Sequence, residues 1–205
     1  MLKSNKTQKE ILKAILRDLT IKHNITSLAK KLTITRMGVW KALKRLESDK
    51  FVILVPAGEG KTSTYKVRLN WENPLVEKNL VTLLLEEAME NQRWVSNFAE
   101  LEDKIDFLIL YGSILHSPKD AGDIDILGVV KNKKQFVEIN KVIVKVQLTQ
   151  IKKIHAIDFT KEEFKKELIA QNNKAFIEAI EKGVVLFGQE NFIKFLRKLN
   201  NLYLG

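Results

Sequence analysis

Residues 108–130 read LILYGSILHSPKDAGDIDILGVV, and this stretch sets the fold of the C-terminal half. An apolar strand, Phe107 to Tyr111, ends at Gly112-Ser113. A short helical piece and a loop follow, and a second strand carries Asp123 and Asp125 with Ile124, Ile126 and Leu127. Residues two apart on a strand point the same way, so the two carboxylates share one face and the isoleucines take the other. Two adjacent carboxylates need an offsetting charge, and a hard divalent cation such as Mg²⁺ supplies it through oxygen ligands. The Gly112-Ser113 turn offers backbone N–H groups and a hydroxyl at a helix start, which suits a phosphate. A phosphate seat beside a cation seat predicts chemistry on a nucleoside triphosphate with Mg²⁺.

The order of these features resembles the DNA polymerase beta-like nucleotidyltransferases, and especially their small branch, the minimal nucleotidyltransferases. The resemblance covers about residues 100–190. It implies that Gly112 and Ser113 hold the triphosphate and that Asp123 and Asp125 bind the metals that activate attack at the α-phosphate. It also implies a third carboxylate on a later strand. Asp158 is the catalytic candidate, and His155 is the alternative for the same place. On an extended strand the two point to opposite faces, so only one of them can look at Asp123 and Asp125. This chain departs from many relatives in having Ile114 after Gly-Ser instead of a basic residue, which leaves His116 and Lys119 as the nearby substitutes.

Charge separates the chain into two regions. Residues 1–70 hold 16 Lys and Arg against 5 Asp and Glu, while the rest holds 19 against 20. The whole net charge of +10 therefore resides in the first third, and a nucleic-acid partner is expected there. With 45% apolar residues the chain can bury real cores. No run of about 18 apolar residues is present, so no membrane span is expected. The opening MLKSNKTQKE lacks the apolar stretch of a signal peptide. The absence of cysteine excludes disulfides and fits a cytoplasmic protein.

The basic third has its own pattern. Ile11, Leu12, Ile15, Leu16 and Leu19 form a helical stripe, with Thr7-x-x-Glu10 read as its capping box. A shorter helix is expected from Thr26 or Ser27, and a third from Thr35 to Ser48. Two strands joined by a glycine-containing turn follow, at 51–55 and 62–69. Residues 7–70 resemble the winged helix-turn-helix modules of prokaryotic transcription regulators. In that family the third helix enters the major groove of DNA. The resemblance implies DNA contacts from Thr35, Arg36, Trp40, Lys41, Lys44 and Arg45 on the helix. Lys61 at the wing tip and Arg68 on the returning strand would grip phosphates.

The chain thus reads as α+β. A winged helix-turn-helix spans 1–70 and a helical linker 71–104. A nucleotidyltransferase-like mixed sheet with helices spans 105–205. The helix at 75–91 suits a spacer or a homodimer contact. Residues 135–151 fit helical and strand spacing alike, and the resemblance favours a helix. Two functions follow. One is an enzyme on a DNA-binding module that transfers a nucleoside monophosphate from NTP to a hydroxyl with Mg²⁺. The other is a transcriptional regulator whose C-terminal domain is inactive and serves nucleotide sensing or partner binding.

Overall fold

The computed structural model describes residues 5–18, 21–57, 64–170 and 174–203. The chain is α+β and divides into two units. One runs to Leu83 and takes in the chain from Leu196 onward, and the other is Leu84–Phe195. Among the described residues no helix is long and apolar enough to cross a membrane.

The N-terminal unit opens with three helices, α1 (Lys6–Arg17), α2 (Ile25–Leu32) and α3 (Arg36–Ser48). They bury Ile11, Leu12, Leu16, Leu28, Val39, Leu43 and Leu46 together. Two strands, β1 (Val52–Ala57) and β2 (Thr64–Leu69), then pair antiparallel from Val52↔Leu69 to Ala57↔Thr64. The Lys61 turn lies outside the described residues.

The helix starts differ from the expected ones. Asn5, not Thr7, caps α1: its side chain accepts from the Gln8 amide, and the Gln8 side chain returns to the Asn5 amide. Asn24 and Ser27 make the same reciprocal cap for α2. Asparagine is among the best N-caps, so each outcompetes the threonine downstream. Thr160 and Glu163 form a further box, with the Glu163 carboxylate accepting from the Thr160 amide and hydroxyl.

α4 (Pro74–Glu90) follows, and the boundary between the two units falls inside it, not at the edges of a separate 71–104 linker. α5 (Gln92–Asn97) and a 3₁₀ turn (Ala99–Lys104) lead into the C-terminal sheet. Its strands are β3 (Phe107–Tyr111), β4 (Asp123–Val130), β5 (Lys153–Thr160) and β6 (Val184–Phe187), in the order β5-β4-β3-β6. β4 and β5 are parallel, and the other pairs are antiparallel. The crossover between the parallel strands is α6 (Gln135–Gln147), a helix that buries Ile139, Val142, Ile143 and Val146. Those four positions keep helical spacing, which resolves the double pattern of this segment. α7 (Lys161–Ala170), α8 (Lys174–Lys182) and α9 (Gln189–Tyr203) complete the chain.

The two sheet faces bury different cores. Leu108, Leu110, Ile124, Ile126, Val130 and Ile154 pack with α6, Trp94, Phe98 and Leu101. On the opposite face Phe107 and Phe159 join Phe164, Phe176, Phe192 and Phe195, with ring centroids 5.2–6.4 Å apart. Burying such rings contributes about 2–3 kcal/mol each, so this end of the face is rigid. At the other end of the same face stand Tyr111, Asp123, Asp125 and His155.

Candidate functional site

Strand register assembles the site. Tyr111 lies opposite Asp125 across the antiparallel β3–β4 pair, and His155 lies opposite Asp125 across the parallel β4–β5 pair. Asp123, two residues before Asp125, shares their face. His155 Nδ1 stands 3.2 Å from Asp123 Oδ2 and 3.6 Å from Asp125 Oδ1. One donor atom from each of the three residues lies within 4.8 Å of the others, close enough to hold a single metal ion. β5 is the edge strand, and the three side chains are partly open to solvent.

Gly112 shapes the opposite wall. Its φ is +82°, and a Cβ there would lie 2.5 Å from Asp125 Oδ2. Only glycine meets both the backbone conformation and the carboxylate's approach. A 3₁₀ turn, Ser113–Leu115, follows directly. Ser113 is exposed, whereas Ile114 is buried in the α6-side core. The residue that follows Gly112-Ser113 is therefore spent on packing.

The electrostatics show a surplus of negative charge. Burial pushes the Asp125 carboxyl above its ordinary range, Asp123 adds to the rise, and His155 offsets part of it. Burial and the same two aspartates push the Tyr111 phenol up to about 12. Tyr111 is only 8% exposed, and its hydroxyl makes no hydrogen bond among the described residues. The ring is buried while the hydroxyl reaches the open side, where it can bond to water or to a ligand.

His155, not Asp158, accompanies the two aspartates. Asp158 is three residues on, pairs with Gly128, and faces the α6 side of the sheet. Its carboxylate lies over the Gly128 Cα, where a side chain would collide with it. Burial alone raises it to about 6. The structure therefore does not bring Asp158 to Asp123 and Asp125.

On the basic unit, Arg36, Lys41, Lys44 and Arg45 are exposed along α3, and Arg68 is exposed on β2. Two expected contacts have other duties. The Thr35 hydroxyl accepts from the Gly38 amide as the N-cap of α3. Trp40 packs against Tyr65 at 5.7 Å, tying α3 to the hairpin, with the Lys44 ammonium 5.2 Å from its ring centroid. Lys44 also pairs with Glu47 at 2.5 Å. Lys61 lies outside the described residues.

A second Asp–His pair escaped the sequence reading. Asp18 is buried after α1, with His23 Nε2 at 2.6 Å from its Oδ2 and Lys31 on its Oδ1. His23 Nδ1 is 3.2 Å from the Ser27 hydroxyl. Burial would raise the Asp18 carboxyl, but His23 and Lys31 outweigh it and the net shift is downward. The only trace in the sequence is an acid and a histidine five residues apart in a connector, which is too common to interpret.

No protein-family model, curated protein or solved structure matches the chain significantly.

Proposed function

We propose that the C-terminal unit is a nucleotidyltransferase-type site that binds a nucleoside triphosphate through a divalent cation, and that the N-terminal unit is a winged helix that holds the protein on DNA. The single observation behind the first part is the placement of Asp123 and Asp125 side by side against the Gly112 turn. The carboxylates would hold the cation, Mg²⁺ in the family this stretch resembles, and Gly112-Ser113 would seat the β- and γ-phosphates. In the transfer an acceptor oxygen bonds to the α-phosphorus as the bond to pyrophosphate breaks. The chain's own part is to align the triphosphate and offset its charge.

The second part rests on three helices followed by an antiparallel hairpin, with Arg36, Lys41, Arg45 and Arg68 exposed on α3 and β2. Arg36, at the first position of α3, is best placed for a base edge, and the others suit phosphates.

A second reading, regulation by nucleotide binding without transfer, is favoured by one observation. His155 stands beside Asp123 and Asp125, whereas active members of the family this stretch resembles carry a third carboxylate on the later strand.

Radiolabelled NTP incubated with DNA, RNA and the protein itself tests transfer. The enzyme reading expects label in an acceptor that disappears with Asp123→Asn/Asp125→Asn. Label that persists in that variant contradicts it, and nucleotide binding without label selects the second reading. For DNA, mobility shifts on genomic fragments should be salt-sensitive and should weaken about tenfold or more with Arg36→Ala/Arg45→Ala. Retention unchanged by that pair, or by salt, would count against the winged-helix assignment.

A further inference from the structure

His155 changes which cation the site can hold. Magnesium demands near-octahedral oxygen ligands and gives up its waters reluctantly, so a nitrogen ligand in place of a carboxylate weakens it. Imidazole suits zinc, cobalt, nickel and copper, which bind mixed nitrogen and oxygen sets well. Nothing in a bare Asp-x-Asp pattern distinguishes these cases, whereas the register Asp125↔His155 does.

The donor spacing points the same way. The imidazole nitrogen is 3.2 Å and 3.6 Å from its two carboxylate neighbours. Ligands at zinc-like bond lengths of about 2.0–2.2 Å lie about 3.3–3.6 Å apart around a tetrahedron. Neighbouring ligands of Mg²⁺, at about 2.0–2.1 Å, lie only about 2.9 Å apart. The two imidazole–carboxylate spacings lie nearer the tetrahedral edges than the octahedral ones, and the three donors together lie within 4.8 Å. The partners sit on paired strands of one sheet, so the spacing is set by backbone register and not by loop conformation.

Tyr111 is an independent sign that a ligand belongs here. The side chain is more than nine-tenths buried, stands on the face of Asp125, and leaves its hydroxyl without a protein partner among the described residues. A phosphate oxygen bound to a cation would accept that hydrogen bond. Three protein ligands with open solvent-facing positions is also the pattern of a metal site that works on a substrate, not one that only ties a fold together.

We infer that Asp123, Asp125 and His155 form a site selective for a first-row transition cation of the zinc and cobalt class over Mg²⁺, with His155 Nδ1 as the selecting ligand and Tyr111 positioned over the open coordination side. The inference rests on the proposal that this site holds a cation beneath a nucleotide. It concerns which cation, and so which triphosphate complex, the domain accepts.

The test uses the full chain, stripped of metal. Zn²⁺, Co²⁺, Mn²⁺ and Mg²⁺ are titrated separately by calorimetry, and the visible absorption of bound Co²⁺ is recorded. The same titrations are run on His155→Gln and on Asp123→Asn. ATP is then titrated with each cation. Zn²⁺ and Co²⁺ should bind about 100-fold more tightly than Mg²⁺. His155→Gln should abolish that preference and the Co²⁺ absorption band while leaving Mg²⁺ within about threefold. Asp123→Asn should weaken every cation. Equal affinities for Zn²⁺ and Mg²⁺, or a preference unchanged in His155→Gln, would overturn the selectivity. The nucleotide reading survives that outcome if ATP still binds with Mg²⁺. No cation binding at the three residues, together with no ATP binding, would remove both. His155 is half-exposed on an edge strand, so its substitution should not disturb folding; Tyr111→Phe is the second variant, expected to weaken ATP in the presence of Zn²⁺ without altering the fold.

Discussion

Among the described residues each unit has an Asp–His pair, and the two pairs are opposites. Asp18 is buried and charge-paired: His23 and Lys31 approach its two oxygens as ion partners, and Ser27 holds the far side of the imidazole. Its carboxyl is shifted down on balance because these partners outweigh the burial that opposes them. Asp125 is half-open and unsaturated. Burial and Asp123 push its carboxyl up, one shared imidazole only partly compensates, and the Tyr111 hydroxyl beside it has no protein partner among the described residues. A balanced ion network holds a fold together, whereas an unbalanced one, kept at some cost in stability, awaits a ligand. The same two residue types serve both ends, and the difference lies in how many partners surround them.

Substitutions can break or sharpen this contrast. The largest effect is predicted for Asp18→Ala, which leaves a buried histidine and a lysine without their counter-charge. We predict a loss of about 3–5 kcal/mol in denaturant unfolding of the N-terminal unit. A loss below about 1 kcal/mol would mean that the network is not what secures the connector after α1. Because the Asp18 carboxyl is lowered, its contribution is present above the ordinary carboxylate range and is lost as pH falls through the folded value.

Gly112→Ala comes next. The substitution strains a φ of +82° and drives a methyl into Asp125, so about 1–3 kcal/mol of stability should go, along with cation binding. Retained binding at full affinity would show that Asp125 is not needed where it stands.

Asp158 tests the comparison from outside it, being a carboxylate half-buried on the other sheet face with neither fate. Its folded pKa, about 6, exceeds the ordinary value of 3.8. Its contribution to stability is therefore full below that ordinary value and is lost as pH rises through about 6. Asp158→Asn should stabilise the C-terminal unit by about 1–2 kcal/mol at pH 8, after allowance for its partial exposure, and by much less at pH 4.5. Melting curves at the two pH values decide it; an equal effect at both would show that no buried charge is being removed.

The smallest effect should have the opposite sign to the first. Asp125→Asn relieves the surplus charge, so the metal-free protein should gain up to about 1 kcal/mol while losing its cation. A marked loss of stability would place Asp125 in the structural class of Asp18.

The sequence showed the pairing of Asp123 with Asp125 because strand periodicity needs only local spacing. It left His155 and Asp158 undecided because their choice depends on how β5 registers against β4. That register is set by the α6 crossover, and no local pattern reports it. With His155 opposite Asp125, Asp158 falls on the α6 side. The Thr7 capping box did not form for a related reason: Asn5 lies two residues before it, and only the competition between the two selected the start of α1. Asp18 and His23 left only their spacing as a trace, since their partners Lys31 and Ser27 come from α2.

The central claim is that the surplus charge at Asp123 and Asp125 exists to hold a cation under a nucleotide. It is tested most directly by calorimetric titration of ATP, GTP, CTP and UTP into the full chain, with divalent cation and with EDTA, alongside Asp123→Asn/Asp125→Asn. The account predicts that at least one nucleotide binds, that EDTA abolishes the binding, and that the double variant does not bind. Failure of all four nucleotides in the presence of cation, or binding that survives both EDTA and the double substitution, would contradict it.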